Sequence, residues 1–343
     1  MLQSSLSGPV LDVSDLRVTF DTERGAAVAV DGVSLQIARG QTVALVGESG
    51  SGKSVMSLAI MRLLAKSAKV AGDRLVLRDR EGLPRDLLGL SDKEMPEVRG
   101  DLAAMIFQEP MTSLNPVHTV GDQIAEAVRL HRKVSKRQAL QRAEDMLRQV
   151  GIPEPASRLA AYPHELSGGM RQRVMIAMAL ACEPGLLIAD EPTTALDVTI
   201  QAQILDLLRS LRESNGQAML FITHDLGVVA EVADRVYVMY CGQVVESGEV
   251  SDIMSTPRHP YTKGLMASLP RIDRPQAPGT HFHSVPGRVS DPWNRPPGCR
   301  FAPRCEFARP GLCDVAVPAL EHVASDHAVR CVRHQEIHGV ACV

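Results

Sequence analysis

The segment Gly47-Glu48-Ser49-Gly50-Ser51-Gly52-Lys53-Ser54 constrains this chain more than any other. It spells G-x-x-x-x-G-K-S between an alternating strand-like run, Thr42 to Val46, and a helix-like run from Ser54 onward. A strand, a glycine-rich turn and a helix in that order turn backbone N–H groups towards a phosphate at a helix N-terminus. In that reading Gly47, Ser49, Gly50, Ser51 and Gly52 shape the cradle. Lys53 reaches the β- and γ-phosphates, and Ser54 offers its hydroxyl to Mg²⁺. A chance glycine-rich turn is the bland alternative, and it leaves the two flanking elements unexplained.

A second piece of such a site lies downstream. Leu186 to Ala189 is an apolar strand that ends in Asp190-Glu191. A carboxylate at a strand end can hold the Mg²⁺ shell, the role expected of Asp190. Glu191, one residue further on, is placed to orient and deprotonate an attacking water. An Asp-Glu pair by itself is more commonly a solvated turn; beside the phosphate loop it points to a nucleotide triphosphatase.

The 343 residues suit one large domain with an appendage, or two of modest size. A formal charge of -3 gives no basic footprint, so nucleic acid is not expected as a partner. The start MLQSSLSGPV carries no secretory signal pattern, and the longest purely apolar run, Val174 to Cys182, falls short of the ~18 residues of a spanning helix. Any link to a membrane therefore runs through a partner.

Strand-like text also occurs at Leu16–Phe20, Val33–Ile37, Ala104–Phe107 and Met219–Thr223, and as a hairpin at Val236–Met239 and Val244–Glu246. Helical periodicity covers 119–150 and a stretch from Gly169 to Cys182, whereas 83–104 is charged and irregular. Residues 271–310 are dense in Pro, Arg and Gly, which precludes long helices. The expected fold is α/β: a core around a mainly parallel sheet, an antiparallel β flank, a helical lobe at about 110–182, and a small C-terminal region beginning near 261. No internal repeat is visible.

Between the two phosphate motifs stands Leu166-Ser167-Gly168-Gly169-Met170-Arg171-Gln172-Arg173, opening a helix. Ser and Gly at a helix start make a second anion site; a plain Ser N-cap is the bland reading. Here the chain resembles the ATP-binding-cassette family, whose signature LSGGQ is altered by Met170. The resemblance implies a P-loop NTPase cassette (about 1–260) with a RecA-like core, in which Ser167 and Gly169 serve the ATP of a neighbouring subunit. It implies that Gln108 is the Q-loop glutamine touching Mg²⁺, Asp197 the D-loop aspartate and His224 the switch histidine. Phe20 would be the aromatic residue on adenine, although a Phe ending a strand is as often core.

Phe107-Gln108-Glu109-Pro110-Met111-Thr112-Ser113-Leu114-Asn115-Pro116, Ala189 to Thr199 and Arg258-His259-Pro260-Tyr261-Thr262 resemble the dipeptide and oligopeptide importers of that family. From that likeness follow an ATPase at the cytoplasmic face of a bacterial inner membrane and a second cassette subunit, expected as a distinct paralogue with a homodimer as the alternative. Two transmembrane permease subunits and a periplasmic or lipid-anchored solute-binding protein complete the assembly, with dipeptides, oligopeptides, nickel or glutathione as cargo. A regulatory or maturation ATPase acting on a soluble partner is the alternative from another class. For His259-Pro260-Tyr261 the bland reading is a helix boundary with a packed Tyr.

Four of the seven cysteines, Cys299, Cys305, Cys313 and Cys331, cluster near the C-terminus with gaps of five, seven and seventeen residues. A structural zinc site usually has a tight C-x₂₋₄-C knuckle, absent here, whereas iron–sulfur clusters accept varied spacings. The expectation is a 4Fe-4S cluster, also implied by the subfamily resemblance. Zinc, free thiols or a disulfide are the alternatives, and His322, His327 and His334 are stand-in ligands or surface residues. Cys182 and Cys241 read as buried small residues and Cys342 as a tail thiol.

Overall fold

A computed structural model describes residues 8–109, 113–194, 196–268, 285–337 and 339. In chain order the strands are β1 (Leu11–Thr22), β2 (Gly25–Ile37), β3 (Thr42–Val46), β4 (Ala68–Ala71), β5 (Arg74–Arg78), β6 (Pro84–Asp86), β7 (Ala103–Ile106), β8 (Leu186–Asp190), β9 (Ala218–Thr223), β10 (Arg235–Tyr240), β11 (Gln243–Glu249), β12 (Glu321–His322) and β13 (Ala328–Val329). The helices are α1 (Lys53–Ile60), α2 (Met95–Val98), α3 (Val120–His131), α4 (Lys136–Gln149), α5 (Pro155–Arg158), α6 (Gly168–Leu180), α7 (Val198–Asn215), α8 (Leu226–Val232), α9 (Val250–Ser255) and α10 (Pro260–Ala267). Contacts divide the chain into two compact units. One takes Gln36–Gln41 and Leu75–Ile222 with the residues up to Asp12; the other takes Val13–Leu35, Thr42–Arg74 and Thr223–Val343.

In the first unit β7, β8 and β9 run parallel, with Ala103 opposite Leu186 and Leu186 opposite Ala218. Parallel strands covered on both faces need unbroken apolar text, and Leu186, Leu187, Ile188 and Ala189 are all buried. Each such Leu or Ile contributes about 1.5–3 kcal/mol on leaving water. The helical periodicity over 119–150 resolves into α3 and α4. The chain turns extended at Arg132, and Ser135 starts α4 with a capping box. Gln138 N donates to Ser135 Oγ at 3.3 Å while Ser135 N donates to Gln138 Oε1 at 2.9 Å. The charged stretch 83–104 is not wholly irregular, since it holds β6, paired antiparallel with β5, and the short α2.

In the second unit β3 and β10 are parallel, β10 and β11 form an antiparallel hairpin, and β1 pairs antiparallel with β4. The described C-terminal residues are not a free-standing Cys-rich region. Antiparallel β13 extends from β11, with Glu246 opposite Val329, and β12 pairs with β13. Phe301 is buried against Tyr240 and Tyr261, with ring centroids 5.2 and 5.4 Å apart. A tail with few large apolar residues thus completes its packing on a core that already exists.

Candidate nucleotide site

The phosphate loop lies in the second unit. β3 ends at the buried Val46, and Gly47 follows with φ +152°; a Cβ there would stand 2.2 Å from the Met239 carbonyl oxygen on β10. Gly52, φ +101°, caps α1, and its Cβ would lie 2.5 Å from the Ala29 carbonyl oxygen. Only glycine lets the loop pass these two backbones. Lys53 opens α1 and is buried; its Nζ donates to Gly47 O at 2.7 Å and to Glu48 O at 3.1 Å. Ser49 and Gly50 are exposed at the crest, Ser51 is buried and Ser54 half-buried. His224 is exposed just past β9, where Asp225 caps α8. Phe20 is half-buried on β1, paired with Ala68, and does not belong to the core.

The carboxylates lie in the first unit. Asp190 is buried at the end of β8, opposite Ile222. Glu191 adopts φ +47°, a left-handed conformation that a residue with a side chain seldom takes without a tertiary reason. Its N–H donates to Ile222 O at 2.9 Å, which fixes the turn. Its carboxylate accepts from Gln108 Nε2 at 3.2 Å and from Thr194 Oγ1 at 2.8 Å. Gln108 and Glu191, from separate motifs, are therefore brought together. Ser167 caps α6, accepting from Met170 N at 3.4 Å, and remains exposed. Gly169 is half-buried and faces α7: a Cβ there would meet Ile200 Cγ2 at 3.1 Å. Asp197 caps α7 by accepting from Ile200 N at 3.0 Å. Buried Gln172 donates to Pro192 O at 2.5 Å and ties α6 to the turn after Glu191.

Sequence reasoning foresaw Tyr261 as a packed residue at a helix boundary but not its link to Glu48, and it passed over Arg304. Glu48 N donates to Tyr261 Oη at 2.8 Å. Arg304, in a 3-10 turn of the tail, grips the Glu48 carboxylate with both terminal nitrogens at 2.8 and 3.1 Å. Burial pushes the Tyr261 phenol up, and that of Tyr240 up to about 12, so both stay neutral hydrogen-bonding groups. The signal within reach was His259-Pro260-Tyr261, where His259 Nδ1 caps α10 by accepting from Tyr261 N at 3.1 Å.

The tail departs from the expected metal centre. Cys299, Cys305, Cys313 and Cys331 line one small cavity with Phe301 and Ile337. Yet among the described residues no group of three or more His, Cys, Asp or Glu could hold a metal ion. The four thiols thus face one cavity, and neither the expected 4Fe-4S cluster nor zinc is supported by a metal-holding group among the described residues. Burial raises the Cys299 thiol, Cys305 to about 12 and Cys331 to about 11. His327 is neither a ligand nor a surface group, because it is buried with its Nε2 2.7 Å from Glu246 Oε1. His334 faces Glu321 at 3.5 Å and His322 is exposed. Cys182 and Cys241 are buried; Cys342 lies outside the described residues.

The family model for ABC transporters matches residues 30–194, and the model for the oligopeptide/dipeptide transporter C-terminal region matches residues 245–313. A Brucella melitensis protein named for ATP binding in peptide import is 54% identical over 333 residues, covering 96% of this chain and 98% of that protein. The chain belongs to the ATP-binding-cassette transporter family. This cassette is also 51% identical to the dipeptide transport ATP-binding protein DppD of Bacillus subtilis, over 94% of each chain. Among solved structures, the dimeric post-hydrolysis state of the ATP-binding cassette MJ0796 bound to ADP and Pi superposes with a TM-score of 0.61 at 27% identity. That match covers 70% of this chain and 98% of the other. The cassette is thus an ATPase subunit with the family's mixed α/β sheets, and no helix among its described residues is long and apolar enough to cross a membrane.

Proposed function

We propose that this cassette energises the import of dipeptides or oligopeptides through separate membrane permease subunits, fed by a solute-binding protein. The observation that carries the reading is the match of residues 245–313 to the oligopeptide/dipeptide C-terminal region in the same chain as the cassette. It works peripherally, at the cytoplasmic face, paired with a second and distinct cassette subunit.

ATP is the substrate. The loop from Gly47 to Ser54 binds its phosphates and Lys53 neutralises charge on the β- and γ-groups. Mg²⁺ would be held by Ser54, Asp190 and Gln108 and would offset phosphate charge. Asp190, buried at a strand end, suits a cation-facing carboxylate. Glu191 takes the proton of the attacking water, with Gln108 and Thr194 fixing its carboxylate. His224 touches the γ-phosphate, Phe20 stacks on adenine, and Ser167, Gly169 and Asp197 act across the paired cassettes. No step passes through a metal in the tail.

The test is uptake of a labelled dipeptide by membrane vesicles containing the cognate permeases, the second cassette and this chain. Uptake that requires ATP and fails with Glu191→Gln supports the reading. Full ATP turnover, no peptide uptake and stable purification with a soluble partner would instead indicate a regulatory or maturation ATPase.

A further inference from the structure

Arg304 lies far from the phosphate motifs in sequence, yet it is buried against the phosphate loop. A guanidinium has five N–H donors in a fixed fork, and here all five have acceptors. Nε donates to Pro286 O at 2.6 Å. One terminal nitrogen donates to Glu48 Oε2 at 2.8 Å and Tyr240 Oη at 3.3 Å, the other to Glu48 Oε1 at 3.1 Å and Val285 O at 3.1 Å. The same guanidinium lies over the rings of Tyr240 and Phe301, at 5.6 and 5.8 Å from their centroids. A group held at so many points has little freedom left, and it passes that rigidity to the carboxylate it grips.

Glu48 is fixed a second time through its backbone, whose N–H is committed to Tyr261. Its carbonyl, with that of Gly47, receives the Lys53 ammonium. A continuous line of contacts therefore runs from the C-terminal tail through Glu48 to the lysine that meets the nucleotide. Arg304 also neutralises a carboxylate that belongs to the phosphate loop itself.

We infer that Arg304 is a positioning residue for MgATP binding, acting through the Glu48 carboxylate on the first residues of the phosphate loop. The inference rests on the ATPase reading above.

The test uses the full chain: MgATP dependence of hydrolysis and equilibrium nucleotide binding for wild type, Arg304→Ala, Arg304→Lys, Glu48→Gln and the Glu48→Gln/Arg304→Ala double variant. Arg304→Ala raises KM and Kd for MgATP roughly tenfold and leaves kcat within about twofold, because the chemical groups are untouched. Arg304→Lys falls between, since an ammonium cannot reproduce the fork. Glu48→Gln also raises KM, and because Arg304 acts through Glu48 the double variant is about as weak as Arg304→Ala alone. A folded Arg304→Ala with unchanged KM, or a loss confined to kcat, overturns the inference and leaves Arg304 a structural strap. Should Arg304→Ala fail to fold, Arg304→Lys and Glu48→Gln decide, and unchanged KM in both overturns it equally. Absence of turnover in the wild type would refute the ATPase reading instead, with nucleotide binding still reporting on Arg304.

Discussion

Gln108 Nε2 donates to Glu191 Oε2 at 3.2 Å, so the residue ending one parallel-strand motif holds the carboxylate that follows another. With Thr194 Oγ1 at 2.8 Å on the same oxygen, Glu191 is oriented before any water arrives. With Glu191 proposed as the base, replacing it by Gln removes that group and keeps the shape. We expect kcat to fall by about 10²-fold or more, with MgATP still bound and the ATP-bound dimer persisting in gel filtration. Normal single-turnover kinetics in this variant would remove Glu191 from the role of base.

Lys53 is held on the Gly47 and Glu48 carbonyls at 2.7 and 3.1 Å, which aims its ammonium along the loop. A charge-assisted contact of this kind is worth about 1.5–3 kcal/mol. Lys53→Ala should therefore weaken MgATP binding by roughly 10- to 100-fold by calorimetry. Wild-type affinity would contradict the assignment of the loop.

Glu246 is fully buried and accepts from Arg258 N at 2.6 Å, His259 N at 3.0 Å and the His327 ring at 2.7 Å. Glu246→Ala abandons two buried partners and one half-buried partner at once and should cost about 3 kcal/mol of stability. Urea midpoints measure this, and hydrogen exchange should show early opening of β13. A loss under about 1 kcal/mol would mean that water relieves the abandoned groups.

His259 is buried, and burial, opposed in part by the Glu246 charge, pulls its pKa down from 6.5 to about 4. Between those values the unfolded chain binds the proton and the folded chain does not. The stability is thus complete above about pH 6.5 and is lost as pH falls towards about 4, by about 3 kcal/mol at the acid end. His259→Asn keeps a capping acceptor and cannot titrate, so its urea midpoint should fall less between about pH 7 and pH 5. Equal slopes would place the acid sensitivity elsewhere.

Much of this was legible from the sequence because it is local. The strand, glycine turn and helix around Gly47–Ser54 and the apolar run ending at Asp190 declare themselves by period and by the glycine that a close backbone demands. The split between α3 and α4 was written in Ser135-Lys136-Arg137-Gln138, a capping signal that uninterrupted apolar periodicity masked. The partners of Glu48 could not be read in this way, because no pattern in a linear chain announces an ion pair across so many residues. The cysteine tail was legible only in part: the clustering in sequence foretold that four thiols would face one cavity, whereas spacing counts residues and does not give the distances a metal centre needs.

The reach of the Glu48–Arg304 pair also sets a timetable. The partners are 256 positions apart, so the loop remains without its guanidinium while the intervening residues are made. At bacterial synthesis rates of about 5–20 residues per second, that interval is roughly 13–50 s. Throughout it the nascent cassette carries a bare carboxylate beside its phosphate cradle. A chain interrupted before Arg304 keeps that charge, so a segment made late finishes a motif made early.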